Sequence, residues 1–159
     1  MKLIIQIPCH NEAQVLPQTI ASLPKQIDGI EATEILIIDD GSQDETIQAA
    51  QTAGAHHVIM LGGHSGLATA FRAGLEAALQ CGADIIINTD ADNQYHGGDV
   101  ECLIRPILAG HAQIVVGDRG VASLKTFSPA KRLLQQVGNW VVALASGLHI
   151  SDATSGFRA

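Results

Sequence analysis

The chain has 159 residues, enough for one domain with a real core, and its make-up of 47% apolar and 16% charged residues excludes a disordered protein. A formal net charge of −7 excludes a general nucleic-acid binder. Aromatic residues are only 3%, so the core must be built from Ile, Leu, Val and Ala.

In chain order, the apolar runs Leu3–Ile7, Ile35–Ile38, His57–Leu61 (the weakest), Ile85–Ile87 and Ile114–Val116 read as strands. They are continuous rather than alternating in polarity, which suits strands covered on both faces of a parallel sheet. Between them lie helical patterns at about Glu12–Leu23, Asp44–Ala53, Gly66–Gln80 and Val100–Leu108, with another at Ala130–Ala145. The alternation predicts an α/β fold, a doubly wound and mainly parallel sheet flanked by helices. Gly66, Ala70, Gly74 and Ala78 form a four-residue stripe that lets their helix lie close against the sheet. Asp44 or Ser42 is placed to cap the helix starting near Glu45. With no internal repeat, low-complexity tract or linker, residues 1–159 are expected to form one domain.

The segment Asn88-Thr-Asp-Ala-Asp-Asn-Gln-Tyr95 carries the clearest chemistry. Asp90, Asp92 and Gln94 alternate, so in an extended segment their oxygens would face one way. Hard cations take oxygen ligands, and Mg²⁺ commonly uses one or two carboxylates plus substrate phosphates. Ligands of open α/β sheets bind at the carboxyl ends of strands, where this segment falls. The expectation is a Mg²⁺ or Mn²⁺ site that holds a diphosphate. Arg119, Lys125, Lys131, Arg132 and Arg158 make the last quarter locally basic, a solvated face or a site for an anion.

Cys9, Cys81 and Cys102 are odd in number and form no CxxC pair, which predicts reduced thiols in a cytosolic protein. Nothing beside Cys9 marks it as a nucleophile. No secretory signal precedes Leu3, and no run approaches the ~20 apolar residues of a membrane helix. A soluble chain without a transmembrane segment is expected.

The motifs Ile7-Pro8-Cys9-His10-Asn11-Glu12, Ile38 to Thr46, Asn88 to Tyr95 and Val116-Gly117-Asp118-Arg119 follow strands directly, and Asp152 to Arg158 closes the set. Together the segments IPCHNE, IDDGSQDET, NTDADNQY, SPAKRLLQQVGNW and DATSGFRA resemble the family 2 glycosyltransferases. Within that family they look most like the polyprenyl-phosphate sugar transferases, the dolichol-phosphate mannose synthase group. The resemblance implies a GT-A fold and an inverting enzyme that moves a sugar from a UDP- or GDP-sugar to a lipid phosphate at a membrane surface. It implies that Pro8, Asn11 and Glu12 form the first nucleotide-binding turn. Asp40, with Asp39 beside it, matches the acidic contact to base or ribose, and Asp90, Asp92 and Gln94 match the metal cluster. Arg119 matches an arginine near the phosphates, and Lys131 and Arg132 match basic residues facing the acceptor phosphate. Asp152 and Arg158 match the last motif. Asp92, Arg119 and Asp152 are the expected catalytic residues. His10 stands where Tyr is common, and Gly97-Gly98 stand where a proline pair is frequent.

By this reading residues 1–119 bind donor and metal, and 120–159 begin an acceptor region that relatives continue with more helix. The expected location is cytoplasmic, peripheral at the inner face of the membrane, in cell-envelope glycan synthesis, with a homo-oligomer possible. Asp152 is an orienting group if the acceptor is a phosphate, and a general base if it is a sugar hydroxyl. A nucleotide-sugar-binding fragment without turnover is the alternative from another class. An EF-hand over Asp90–Glu101 fails because Tyr95 occupies the glycine position and a strand, not a helix, precedes it. Gly62-Gly63-His64-Ser65-Gly66 lacks the spacing of both nucleotide-binding glycine fingerprints, so it reads as a tight turn, and an oxidoreductase is disfavoured.

Overall fold

β1 (Lys2–Cys9) is the central strand of a four-stranded parallel sheet in the order β3-β2-β1-β4. β2 (Ala32–Asp39) flanks it on one side and β4 (Ile85–Asn88) on the other, and β3 (His57–Met60) pairs with β2. The structure, a computed structural model, describes residues 1–92, 95, 97–118, 138–144, 147, 152 and 154–159. The expected doubly wound α/β architecture is present. Leu3, Ile5 and Ile7 of β1 join Ile35 and Ile37 of β2 in a core under α1 (Leu16–Ser22), α2 (Thr46–Ala53) and α4 (Asp99–Leu108). Ile4, Leu36 and Ile38 face the opposite way, against α3 (Leu67–Gln80). Strands with apolar residues on both faces are the physical content of the continuous runs.

The small-residue stripe behaves as expected, with Ala70, Gly74 and Ala78 as the buried residues of α3. A Cβ on Gly74 would lie 2.5 Å from Gln6 Oε1 and 2.8 Å from Ile38 Cδ1, so the helix sits where only hydrogen fits. α1 starts later than its apolar pattern predicts. Pro17 occupies the first turn, where its missing N–H costs nothing, and residues 13–15 are a turn instead.

The run Ile114–Val116 is not the fifth parallel strand that its composition predicts. The C-terminal segment takes the place beside β4, running antiparallel: Asn88 N–H donates to Arg158 O at 2.8 Å and Arg158 N–H to Asn88 O at 3.1 Å. Residues 115–117 then pair with the outer side of that segment, through Val115 N–H to Ala159 O at 2.9 Å and Gly117 N–H to Phe157 O at 2.8 Å. The edge groups of Asn88, at the end of β4, are thereby satisfied by a residue distant in sequence, which no local pattern announces. The pattern at Ala130–Ala145 lies largely outside the described residues, of which 138–144 are helical.

At the amino ends of the strands, Glu34 bridges Lys2 Nζ at 2.8 Å and His57 Nε2 at 2.6 Å. His56 Nδ1 accepts the Ile35 N–H at 3.1 Å. These neighbouring histidines have separate partners, His56 just before β3 and His57 at its start. Among the described residues no helix is long and apolar enough to cross a membrane.

Candidate active site

β1 lies between β2 and β4, so the order in which strands are added to the parallel sheet reverses at β1 and a crevice opens at its carboxyl end. The β1–β4 register ends at Gln6↔Asn88, while β1 continues beside β2 to Cys9↔Asp39. Pro8 therefore lies beyond the reach of β4, at a point where its missing N–H takes no bond from that ladder. The first motif begins there.

Asn11 has φ +57°, a left-handed conformation that asparagine tolerates better than most residues. Its N–H donates to Ser42 Oγ at 2.9 Å, and its Oδ1 accepts the Gln43 N–H at 2.8 Å. The Glu12 N–H donates to Thr46 Oγ1 at 2.8 Å. The first and second motifs are thus one bonded unit at the crevice mouth. Glu45 holds the cap position of α2 and makes no side-chain capping bond. Instead Asp44 Oδ1 accepts the Thr46 N–H at 3.1 Å, while Ser42 is committed to Asn11.

Asp39 and Asp40 are both buried but face different neighbours. Asp39 Oδ2 accepts the Ser42 N–H at 3.2 Å, which gives the turn its shape. Asp39 Oδ1 is buried and has no partner among the described residues. The Asp40 carboxylate accepts the Ser65 N–H at 2.7 Å and the Gly66 N–H at 2.9 Å, and His64 Nδ1 stands 3.0 Å from it. His10 turns its Nδ1 to the Asp40 carbonyl at 2.8 Å, and its ring lies 4.3 Å from that of His64. Burial is the largest influence on Asp40 and raises its pKa, but the two N–H donors and both imidazoles together hold it below the usual carboxylate value. The expected tight turn at 62–66 is thus anchored on the residue expected to read the nucleotide.

Asp90 and Asp92 do not sit on an extended strand, as their alternation presumed. β4 ends at Asn88, and the chain turns at residues 91–92. Ala91 is buried toward α1, its carbonyl accepting Thr19 Oγ1–H at 2.7 Å. Burial of Ala91 leaves the residues on either side, Asp90 half-buried and Asp92 exposed. Asp90 is held by an unexpected feature. A Cβ built on Gly156 would lie 2.6 and 2.7 Å from its two carboxylate oxygens, so the carboxylate rests on the bare backbone of the last motif. Asn88 Nδ2 donates to Gly156 O at 2.7 Å, and Gln6 Nε2 donates to Asn88 Oδ1 at 3.0 Å.

These oxygens fit a hard divalent cation. Among the described residues no three His, Cys, Asp or Glu side chains converge into a protein cage. Mg²⁺ is commonly held by one or two carboxylates and completed by substrate phosphates, a role open to Asp90 and Asp92. Asp152 is buried at 1% exposure, with Thr154 Oγ1–H donating to its Oδ1 at 3.2 Å. Arg158 is fixed through its backbone pairing with Asn88, and its Nε–H donates to Ser155 O at 2.6 Å. Gln94, Arg119, Lys131 and Arg132 lie outside the described residues. The roles of Asn88 and Gly156 were not read from the sequence, although both fall inside quoted motifs.

Cys9 is buried, and its thiol pKa is pushed far up by desolvation first and by the Glu12 and Asp39 charges second. Cys102 is exposed. In the native protein, a thiol reagent is expected to label Cys102 within minutes and Cys9 only on unfolding. Native labelling of Cys9, read by peptide mass mapping, would contradict this placement.

An uncharacterized protein of Methanocaldococcus jannaschii is 31% identical, over 99% of this chain and 64% of its own length. Undecaprenyl-phosphate mannosyltransferase of Micrococcus luteus is 28% identical, over 100% of this chain and 66% of its own. The chain thus spans just under two thirds of these relatives. Glucosyl-3-phosphoglycerate synthase of Mycobacterium tuberculosis, solved with Mn²⁺, UDP-glucose and phosphoglyceric acid, shares the fold at a TM-score of 0.74. It is 24% identical, and the match covers 99% of this chain and 55% of that one. The family model described as Glycosyl transferase family 2 matches residues 4–158, and the chain belongs to that family.

Proposed function

We infer that this chain carries the donor site of a metal-assisted glycosyltransferase, which moves a sugar from a nucleoside-diphosphate sugar to a polyprenyl phosphate with inversion. The placement of Asp90 carries this reading. Its carboxylate is seated on Gly156 at the carboxyl end of β4, beside the crevice whose other wall is the bonded turn of Asn11, Ser42 and Gln43. The mannosyltransferase name of the Micrococcus luteus relative supports the lipid-phosphate acceptor. The Mn²⁺ and UDP-glucose held by the Mycobacterium tuberculosis enzyme support the donor class and the metal.

The turn of Pro8, Asn11 and Glu12 holds the nucleoside end of the donor, and buried Asp39 Oδ1 offers it an acceptor that has no partner among the described residues. Asp90, Asp92 and Gln94 hold the cation. A divalent ion there supplies Lewis-acid neutralisation of the charge that develops on the departing diphosphate. Arg119 adds charge-assisted hydrogen bonds to the phosphate oxygens, and Lys131 and Arg132 hold the acceptor phosphate. A phosphate acceptor is largely ionised at neutral pH and needs little help from a base. Asp152, buried beside Thr154, then serves to orient the last motif. Such an enzyme works from the cytoplasmic face of a membrane, in the assembly of cell-envelope glycans.

A thermal-shift screen of UDP, GDP, UDP-glucose and GDP-mannose, each with and without Mg²⁺ or Mn²⁺, tests the donor site. A ligand at a hundred-fold excess over its Kd adds about 2.7 kcal/mol of stability, which the melting temperature reports. Incubation of the binding donor with a short polyprenyl phosphate then separates the classes. Glycolipid supports the enzyme, and binding without product supports a donor-binding module. No shift with any nucleotide in either metal rejects the reading.

A further inference from the structure

The Tyr95 side chain closes the loop after β4 onto the last motif. Its hydroxyl oxygen accepts the Gly156 N–H at 3.1 Å, and its ring stacks on Phe157 with centroids 5.0 Å apart and planes 18° from parallel. Gly156 is therefore gripped at both ends of its peptide framework, at N–H by Tyr95 and at C=O by Asn88 Nδ2 at 2.7 Å. Between those two bonds its bare Cα faces the Asp90 carboxylate. Phe157 in turn packs so closely on Gly117 that a Cβ there would lie 2.8 Å from its ring. The phenol oxygen is thus bonded to the backbone on which the Asp90 carboxylate rests.

We propose that Tyr95 is a positioning residue, its hydroxyl holding Gly156 in place so that Asp90 presents its carboxylate to the divalent cation. This rests on the metal-site reading given above. Outer partners that orient a metal ligand commonly change metal affinity by about 10–100-fold when removed. Tyr95 acts through a backbone contact of this kind. Among the described residues the nucleoside turn at Asn11 and Ser42 shares no bond with it, so the effect should fall on the metal alone.

The test compares Tyr95→Phe and Tyr95→Ala with wild type by isothermal titration of Mn²⁺ into protein saturated with UDP or, separately, GDP, and of the nucleotide into metal-free protein. The Mn²⁺ electron paramagnetic resonance spectrum of each complex gives a second readout. Tyr95→Phe keeps the ring on Phe157 and is expected to weaken Mn²⁺ by about ten-fold or more, to alter the bound-Mn²⁺ spectrum, and to leave metal-free nucleotide affinity unchanged. Tyr95→Ala should weaken Mn²⁺ at least as much. If Tyr95→Phe binds Mn²⁺ as wild type does while Tyr95→Ala does not, the stack and not the hydroxyl holds the site, and the proposal is overturned. Equal losses of Mn²⁺ and metal-free nucleotide affinity also overturn it, since they report general damage. Wild-type protein that takes up no Mn²⁺ with either nucleotide removes the metal-site reading itself, and this proposal with it.

Discussion

Asp90→Ala is expected to abolish the metal-dependent part of nucleotide binding. Loss of an outer partner alone costs about 10–100-fold in metal affinity, so loss of a ligand should cost more than about 100-fold. The effect on folding should be small. Asp90 is half-buried, and its carboxylate lies against the backbone of Gly156. Metal-free affinity for the nucleoside diphosphate should survive, because the Asn11–Ser42 and Asn11–Gln43 bonds that shape the first turn are untouched. Asp90→Asn separates charge from shape, since the amide fills the same space on Gly156 and removes the anion. It should resemble alanine in metal binding. Asp92→Ala should show the same loss from the exposed side of Ala91. Titration of UDP and GDP with and without Mn²⁺ decides the matter, and equal affinities of wild type and Asp90→Ala in Mn²⁺ would refute the site.

The legible and illegible parts of this molecule differ by the range of the interactions that made them. β1, β2 and β4 were readable because each is buried on both faces and so spells a continuous apolar run. The stripe of α3 was readable for the same local reason. The fate of Ile114–Val116 was not. Its neighbour in the sheet is decided by a segment at the far end of the chain, whose residues 155–159 carry no strand-like run of their own. Within the site, the oxygens at Asp90 and Asp92 were visible as spacing, but the extended geometry assumed for them was replaced by a turn with Ala91 buried. The seat of Asp90 on Gly156 joins two motifs, and so does the Asn88–Gly156 bond that spans 68 residues. A glycine in such a motif signals that something comes close, but only the fold says what. Asp40 shows the same limit. The family resemblance marked it as a reader of the nucleotide, while the fold adds a second duty as anchor of loop 62–66.

That second duty leads to the largest expected effect on stability, at Gly41. Its φ is +75°, a conformation that costs an L-residue about 1–2 kcal/mol. A Cβ there would also lie 2.7 Å from Gly63 C and 2.8 Å from His64 N. Those are backbone atoms, which cannot swing aside as a flexible side chain would, and forced overpacking of this kind typically costs about 1–3 kcal/mol. Gly41→Ala should therefore lose about 2–5 kcal/mol, or roughly 4–20 °C in Tm for a domain of this size. The relief available is movement of loop 62–66 away from β2, which would draw the Ser65 and Gly66 N–H groups off the Asp40 carboxylate. Asp40 would then be a buried anion short of donors, so nucleotide affinity should fall along with stability. Gly63→Ala is the control, because a Cβ at that position meets nothing within 4 Å and its backbone is not left-handed. It should stay within about 0.5 kcal/mol of wild type. A Gly41→Ala protein that melts with the Gly63→Ala control would show that the loop over Asp40 does not rest on this turn.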